Sequence, residues 1–232
     1  SQKLGFSVKQ TMSIAQNLYR EGSITYMRTD SLNLSEVAIT AAQEEIVSKY
    51  GKQFHQARRY KTSSSGAQEA HEAIRPTDLT KPTIFGLDDQ SSKLYSLIYK
   101  RTLASQMSDA QLQKTKVTIN ISGRSEHFIA DGEVLSFAGF LQVYDYMSSD
   151  DKLLPEISKN DKLTLIDMNS RESFSRAKPR YTEASLVKEI EQMGIGRPST
   201  FATMITTVQD RNYVVKDTRD GIQREYQCVE IS

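Results

Sequence analysis

A phenol and a guanidinium two residues apart are the first candidates for chemistry in this sequence. They belong to Tyr26 and Arg28, in the segment ITYMRTDS that runs from residue 24 to residue 31. Side chains two apart on an extended backbone point to one face, so we expect both groups in one small space. A fixed cation favours the phenolate and can hold a phosphate oxygen, which predicts nucleophilic attack on a phosphate. The chain has 11 tyrosines, and a half-buried strand position is the commoner interpretation for any one of them.

A second polar cluster lies in QEAHEAIRPT, residues 68 to 77. It places an imidazole, two carboxylates and a guanidinium close together along the chain. His71 can donate to a phosphate oxygen when protonated, or shuttle a proton. The alternative is a hydrogen-bonded surface loop without chemistry. His55 and His127 lack comparable neighbours, so we expect structural roles for them.

A third segment, GIGRPST from residue 194 to residue 200, precedes a predicted helix. Its glycines permit close backbone approach, and free N–H groups beside Arg197, Ser199 and Thr200 suit a phosphate. A purely structural turn between two helices is the alternative. The chain contains no GxxxxGK[ST] motif, so nucleotide hydrolysis has no support.

Hydrophobic periodicity predicts the helices that must position these segments. A first helix should begin after Ser7 as N-cap and stop at Gly22, and a second should run from Ser35 to Gly51. Tyr26 then lies on a short strand or turn between them. Three further helices are predicted from Gln90 to Met107, from Tyr181 to Gly194, and from Pro198 onward. Residues 51 to 68 combine basic, serine and glycine residues, and we expect a mobile surface loop there.

The period changes to two after Asp109, where Val117, Ile119 and Ile121 alternate with polar residues. This predicts antiparallel sheet, with Asp131-Gly132 as a hairpin turn. Residues 148 to 161 should form a polar connection, and Lys162 to Met168 a strand that returns to the same sheet. The predicted fold class is α+β.

Composition limits the possible functions of the chain. Lys and Arg number 30 against 29 Asp and Glu, a formal charge of +1, so any nucleic-acid site must be a local patch. The single cysteine, Cys228, excludes an intrachain disulfide and a CxxC zinc site. No apolar run is long enough to span a bilayer, so we expect a cytoplasmic protein without membrane contact. Because Ser1 and not Met opens the chain, we expect an excised segment of a longer protein.

The ordered set of segments closely resembles type IA DNA topoisomerases over nearly the whole chain. The resemblance rests on the segments AQNLY, ITYMRTDS, HEAIRPT and YTEASLVKEIEQMGIGRPST. Met27 after the tyrosine is similar to the bacterial topoisomerase I branch, whereas the topoisomerase III branch usually has proline there. Arg20 departs from the acidic or small polar residue expected at its position.

The resemblance implies roles for individual residues. Tyr26 would attack a phosphodiester of single-stranded DNA, leaving a 5′-phosphotyrosine link and a free 3′-hydroxyl, and religation would relax negative supercoils without ATP. Arg28 would hold the scissile phosphate and stabilise its developing charge. His71, Arg197 and Ser199 would contact the DNA backbone. Arg75, with Thr77, would orient its loop instead of touching DNA.

The resemblance also implies an organisation. Residues 1–112 would form the tyrosine-bearing gate domain, 113–178 a β-rich hinge or arch, and 179–232 the start of a helical domain lining the DNA groove. The TOPRIM domain and its acidic Mg²⁺ site should precede Ser1, so we expect a monomeric and incomplete enzyme that is inactive alone, with Tyr26 and Arg28 exposed. Tyrosine recombinases and relaxases are disfavoured by the position of Tyr26 and by three scattered histidines. The remaining alternative is a non-catalytic module that binds single-stranded DNA.

Overall fold

The computed structural model describes residues 1–60, 71–144, 153–218 and 220–231. Within these ranges the chain combines α-helices with short antiparallel strands, which confirms the predicted α+β class. The helices are α1 (Val8–Arg20), α2 (Glu36–Tyr50), α3 (Asp89–Ser105), α4 (Glu183–Gln192) and α5 (Phe201–Asp210). The strands are β1 (Gln111–Asn120), β2 (His127–Phe137), β3 (Met168–Arg171) and β4 (Cys228–Ile231). No helix in the described ranges has both the length and the apolar character needed to cross a membrane.

Both ends of α1 follow the prediction. The Ser7 hydroxyl oxygen accepts the Gln10 N–H at 3.1 Å and so caps the helix start. At the other end Gly22 adopts φ +72°, and Ser23 N–H donates to the Leu18 carbonyl at 2.8 Å. This glycine-dependent turn closes the helix and directs the chain into the segment that carries Tyr26.

A hydrophobic core holds α1, α2 and α3 together. Its members come from all three helices and from the segments between and after them. The most deeply buried aliphatic side chains are Leu18, Ile24, Ile46, Leu103 and Met107. Ile24 lies in the Tyr26 segment itself, so its side chain anchors this segment in the core.

The described part of the predicted mobile loop is ordered, which corrects that prediction. Lys52–Phe54 form a 3₁₀ turn, and His55 forms an antiparallel bridge with Met107. Gln106 is buried there, and its side-chain oxygen accepts the Arg58 N–H at 3.0 Å. The remainder of the predicted loop, residues 61–68, lies outside the described residues.

Strands β1 and β2 form the predicted antiparallel hairpin, but its turn was assigned wrongly. Asp131 and Gly132 lie inside β2, opposite Lys116 and Thr115. The chain reverses instead between Asn120 and His127, where Gly123 takes φ +76°. Two glycine-containing turn signals compete in this stretch, and strand pairing decides between them.

The predicted strand from Lys162 to Met168 is also wrong. Only Met168 belongs to a strand, and β3 pairs with β4, not with β1 or β2. Its partner lies at the far end of the sequence, so local alternation could not identify the pairing. Of the predicted polar connection, residues 148–152 lie outside the described residues.

Both C-terminal helices, α4 and α5, contact α1. Thr182 caps α4 through a reciprocal pair of bonds with Ser185, and Gly194 ends the helical stretch at φ +73°. The first α4 residue, Glu183, accepts the Val8 N–H at 2.7 Å, and α5 contacts α1. Helix α5 begins at Phe201, after a turn over residues 198–200, slightly later than the predicted start at Pro198.

Candidate active site

The Tyr26 segment, residues 23–31, lies against the second polar segment, residues 71–77. Ile24 and Pro76 form an antiparallel bridge. Thr25 N–H donates to the Arg75 carbonyl at 2.9 Å, and Thr77 N–H donates to the Ser23 carbonyl at 3.1 Å. The fold therefore joins two of the three segments selected from the sequence.

The hydroxyl of Thr25 strengthens this junction. It donates to the Ala73 carbonyl at 2.8 Å and accepts the Arg75 N–H at 2.9 Å. Thr25 therefore fixes the residue next to Tyr26 through its side chain as well as its backbone. Since side-chain torsions of β-branched residues are restricted, little freedom remains at this position.

Exposure alternates along the segment that follows Thr25. Tyr26 is 42% exposed and Arg28 is exposed, whereas Met27 between them is buried at 4%. The expected exposure of both residues is thus observed. Of the two predicted alternatives, a short strand or a turn, the turn describes the segment better, because pairing in it stops at Ile24. Burial of Met27, not a β-ladder, turns its neighbours outward.

The phenol of Tyr26 is presented by a second aromatic ring. Tyr19, in the last turn of α1, packs edge-on against Tyr26 with ring centroids 5.1 Å apart and an interplanar angle of 64°. This contact limits the ring positions open to Tyr26. Across the described residues, neither the Tyr26 hydroxyl nor the Arg28 guanidinium has a hydrogen-bond or ion-pair partner, so both are available to a ligand.

Arg75 has the structural role that the sequence favoured. Its Nε and Nη2 donate to the two Glu72 carboxylate oxygens at 2.7 and 3.1 Å, and Nη1 donates to the Pro76 carbonyl at 2.9 Å. Burial alone would raise the pKa of Glu72, but hydrogen bonds from Arg75 and Ser35 outweigh burial and lower the pKa. The Arg75 side chain is only 15% exposed and fully engaged, so it has little capacity for DNA.

His71 and the third segment are placed differently. His71 is exposed at the start of the 71–77 segment. Arg197 and Ser199 are exposed in the turn before α5, and the Arg197 side chain bonds to its neighbour's carbonyl, Gly196, at 2.7 Å. The described hydrogen bonds and ion pairs do not join this turn to Tyr26 or Arg28.

The described side chains do not form a metal site. Over these ranges no three His, Cys, Asp or Glu side chains are grouped so that they could hold an ion. The Mg²⁺ implied by the resemblance therefore does not fit the described part of this chain.

A family model described as DNA topoisomerase matches residues 1–225. The chain belongs to the bacterial type IA DNA topoisomerases. It is 44% identical to DNA topoisomerase 1 of Streptomyces coelicolor and of Pseudomonas aeruginosa, covering 93% and 94% of this chain but 24% and 26% of theirs. The structure of full-length topoisomerase I from Thermotoga maritima superposes with a TM-score of 0.74 at 34% identity, covering 93% of this chain and 36% of that one. This topoisomerase chain thus spans about a quarter of the length of the curated relatives it matches.

Two residues that position the topoisomerase segments were not singled out by sequence reasoning. From the sequence, Thr25 is only one residue of the ITYMRTDS segment, and Glu72 only one of two carboxylates close to His71. Glu72 in fact accepts the Ser35 N–H at 2.9 Å, which ties the 71–77 segment to the N-cap of α2. The signal was the i, i+3 spacing of Glu72 and Arg75, which suits an ion pair within one turn of chain.

Proposed function

We propose that this chain carries the strand-cleaving tyrosine of a bacterial type IA DNA topoisomerase, and that Tyr26 is the nucleophile. The substrate is a phosphodiester of single-stranded or negatively supercoiled DNA. The observation that carries the proposal is the exposed, unpartnered phenol of Tyr26 two residues from the exposed guanidinium of Arg28, on a segment fixed by Thr25.

Cleavage exchanges one ester for another. The Tyr26 oxygen forms a bond to phosphorus, the bond from phosphorus to the 3′ oxygen breaks, and the phenol proton is lost as the 3′ oxygen gains one. The product is a 5′-phosphotyrosine and a free 3′-hydroxyl, and the reverse exchange rejoins the strand after passage. Because the ester keeps the energy of the broken bond, the reaction needs no ATP.

The neighbouring side chains divide the remaining work. Arg28 holds the scissile phosphate and stabilises charge that develops on its oxygens. His71 contacts an adjacent phosphate, and Arg197 and Ser199 contact the backbone of the same strand farther along. In this proposal the Mg²⁺ that the family uses is bound by an acidic TOPRIM domain outside this chain. The compared relatives are bacterial, and we place the enzyme with the nucleoid in the cytoplasm as a monomer.

Three proposed domains organise the chain. Residues 1–112 form the gate domain with Tyr26, residues 113–178 the hinge or arch, and residues 179–232 the start of the DNA-groove domain. The core shared by α1, α2 and α3 supports the first of these as a unit, and the β1–β2 hairpin that follows supports the second. The contact of Val8 with Glu183 means that the first and third units touch in this arrangement.

Replacement of Tyr26 by phenylalanine tests the proposal. Labelled single-stranded DNA is incubated with this chain, Mg²⁺ and a separately expressed TOPRIM-containing piece of a relative, and covalent adduct is measured after denaturation. Adduct should form with the unchanged chain and be lost completely with Tyr26→Phe, because the attacking oxygen is gone. Binding of the DNA should change little.

Tyr19→Phe is the matched control, since it removes a hydroxyl from the ring that packs against Tyr26. It should keep adduct formation. An adduct that survives Tyr26→Phe would reject this tyrosine as nucleophile. DNA binding without any adduct in the mixture would favour the non-catalytic single-strand-binding alternative.

A further inference from the structure

One stretch of this nearly neutral chain, far along the sequence from Tyr26, is rich in basic residues. Residues 171–181 read RESFSRAKPRY, with basic residues in excess and Glu172 as the single acid. Strand β3 ends in this stretch, and Glu172 N–H donates to the Gln227 carbonyl at 2.9 Å, which brings residues 222–228 alongside. We call this surface the basic strip. Its cations are Arg171, Arg176, Lys178, Arg180 and Arg224.

The cations of the basic strip have no acidic partners among the described residues. Arg58, Arg59 and Arg75 each pair with a carboxylate. None of the five strip cations forms an ion pair with a described carboxylate. Glu172 is nearby, but its oxygen accepts the Gln227 N–H at 3.1 Å, and Glu225 lies in the adjacent segment. The strip therefore keeps a net positive charge that its own residues do not neutralise.

Aromatic rings alternate with these cations and hold two of them in place. The Arg171 guanidinium carbon lies 4.2 Å from the Tyr226 ring centroid, and that of Arg224 lies 5.4 Å from the Phe174 centroid. A cation–π contact orients a guanidinium without using its N–H donors. Both arginines therefore remain able to donate to phosphate oxygens.

The rings themselves are accessible. Phe174 and Tyr226 are 47% and 50% exposed, and Tyr181 at the end of the strip is 61% exposed. In the neighbouring β3–β4 pair, every residue of β4 is exposed. Large rings at this exposure, beside unpaired cations, match surfaces on which bases stack while the backbone follows positive charge.

We propose that the basic strip is a second binding surface for single-stranded DNA, separate from the Tyr26 site. The choice of DNA as the nucleic acid rests on the proposed function. Single-stranded DNA fits better than duplex because only unpaired bases offer their faces to Phe174, Tyr181 and Tyr226. A chain with a net charge of +1 can bind a polyanion in this way, because the excess positive charge of the strip is local.

The salt dependence of binding tests the proposal. Affinity of the full chain for a fluorescently labelled oligo-dT is measured by anisotropy at several salt concentrations. Each phosphate contact contributes about 0.7 to the slope of log K against log salt for single strands. Arg176→Ala, Lys178→Ala and Arg180→Ala together should therefore lower that slope by about 2. Phe174→Leu or Tyr226→Leu should weaken binding by about fivefold or more through lost stacking.

The matched control removes the same charge elsewhere. Lys52, Lys116 and Arg124 are exposed, and their combined replacement by alanine should leave the slope nearly unchanged. The proposal would be overturned if the strip variant and the unchanged chain gave equal slopes, or if the control variant lost as much slope as the strip variant. Equal affinity for duplex of the same length would overturn it as well. So would the absence of binding by the unchanged chain at low salt. Binding needs no strand cleavage, so a failure of adduct formation at Tyr26 is distinguishable from a failure of this surface.

Discussion

Arg28 stands apart from the arginines nearest to it in sequence and space. Arg20 bonds to the Asn17 side chain, and Arg75 is engaged by Glu72 and Pro76, whereas Arg28 is exposed without a described partner. A surface arginine held by its neighbours contributes to packing. One that is held only by its backbone, beside a candidate nucleophile, is placed to receive a phosphate.

Substitution of Arg28 tests this role at the level of one side chain. Arg28→Ala should slow adduct formation by about 100-fold or more, the usual effect of removing one donor to developing charge. Affinity for single-stranded DNA should fall far less, since one phosphate contact is lost. The measurement is a single-turnover cleavage time course with the mixture described above. Arg20→Ala, two residues before Gly22, is the control and should cleave at the unchanged rate. A slowing equal to that of Arg28→Ala would reject a specific role for Arg28.

At the scale of elements, Glu72 connects the 71–77 segment to the start of α2. Its carboxylate accepts from Ser35 N–H and from two Arg75 nitrogens. Glu72→Gln should lower the free energy of unfolding at pH 7 by about 1 to 3 kcal/mol, as for other hydrogen bonds to charged groups. Glu36→Gln, in an exposed pair with Arg59 at the same helix end, should cost at most about 1 kcal/mol.

The stability lost in Glu72→Gln depends on pH with a defined sign. Hydrogen bonds from Arg75 and Ser35 overcome the effect of burial and lower the pKa of Glu72 below its ordinary value of 4.5. A lowered carboxyl pKa stabilises the fold above pH 4.5, and the stabilisation is lost as pH falls through the folded-state value. Urea unfolding should show that the unchanged chain is more stable than Glu72→Gln by a constant free energy above that pH. Below it, the difference between the two proteins should shrink. A difference that widens in acid would contradict the assignment.

Elements bounded by local signals were predictable, and those bounded by distant partners were not. Ser7, Gly22, Ser35 and Gly51 act within one turn of the helices they delimit, so their types were sufficient. The hairpin turn was misassigned because Asp131-Gly132 and Gly123 give similar local signals. The pairing of β3 with β4 joins residues about 60 positions apart, which no local period can report.

The candidate site shows the same division. Types and spacing indicated Tyr26 and Arg28, and the motif order indicated the family. The contact between the Tyr26 and 71–77 segments depends on the Ile24–Pro76 bridge and on the Thr25 hydroxyl, neither of which follows from periodicity. The basic strip could not be predicted for a related reason, since Arg224 reaches the 171–181 stretch only through the β3–β4 pairing.

At the scale of the whole molecule, the candidate site is exposed at Tyr26 and Arg28. The described residues include the proposed nucleophile, the proposed phosphate-binding cation and the groups that position them, but no metal cluster. The chain accounts for about a quarter of the length of the relatives it matches. We therefore expect activity to depend on what those relatives have beyond the matched segment.

A chimera tests that dependence. The segment of the Pseudomonas aeruginosa enzyme that is 44% identical over 225 residues is replaced by this chain. The chimera should relax negatively supercoiled plasmid with Mg²⁺ and without ATP, its Tyr26→Phe form should not, and this chain alone should form no adduct. Cleavage by the chain alone would show that the remaining parts are dispensable for chemistry. A folded chimera that binds DNA without cleaving it would reject Tyr26 as the nucleophile, because the remaining parts come from a relative's complete enzyme.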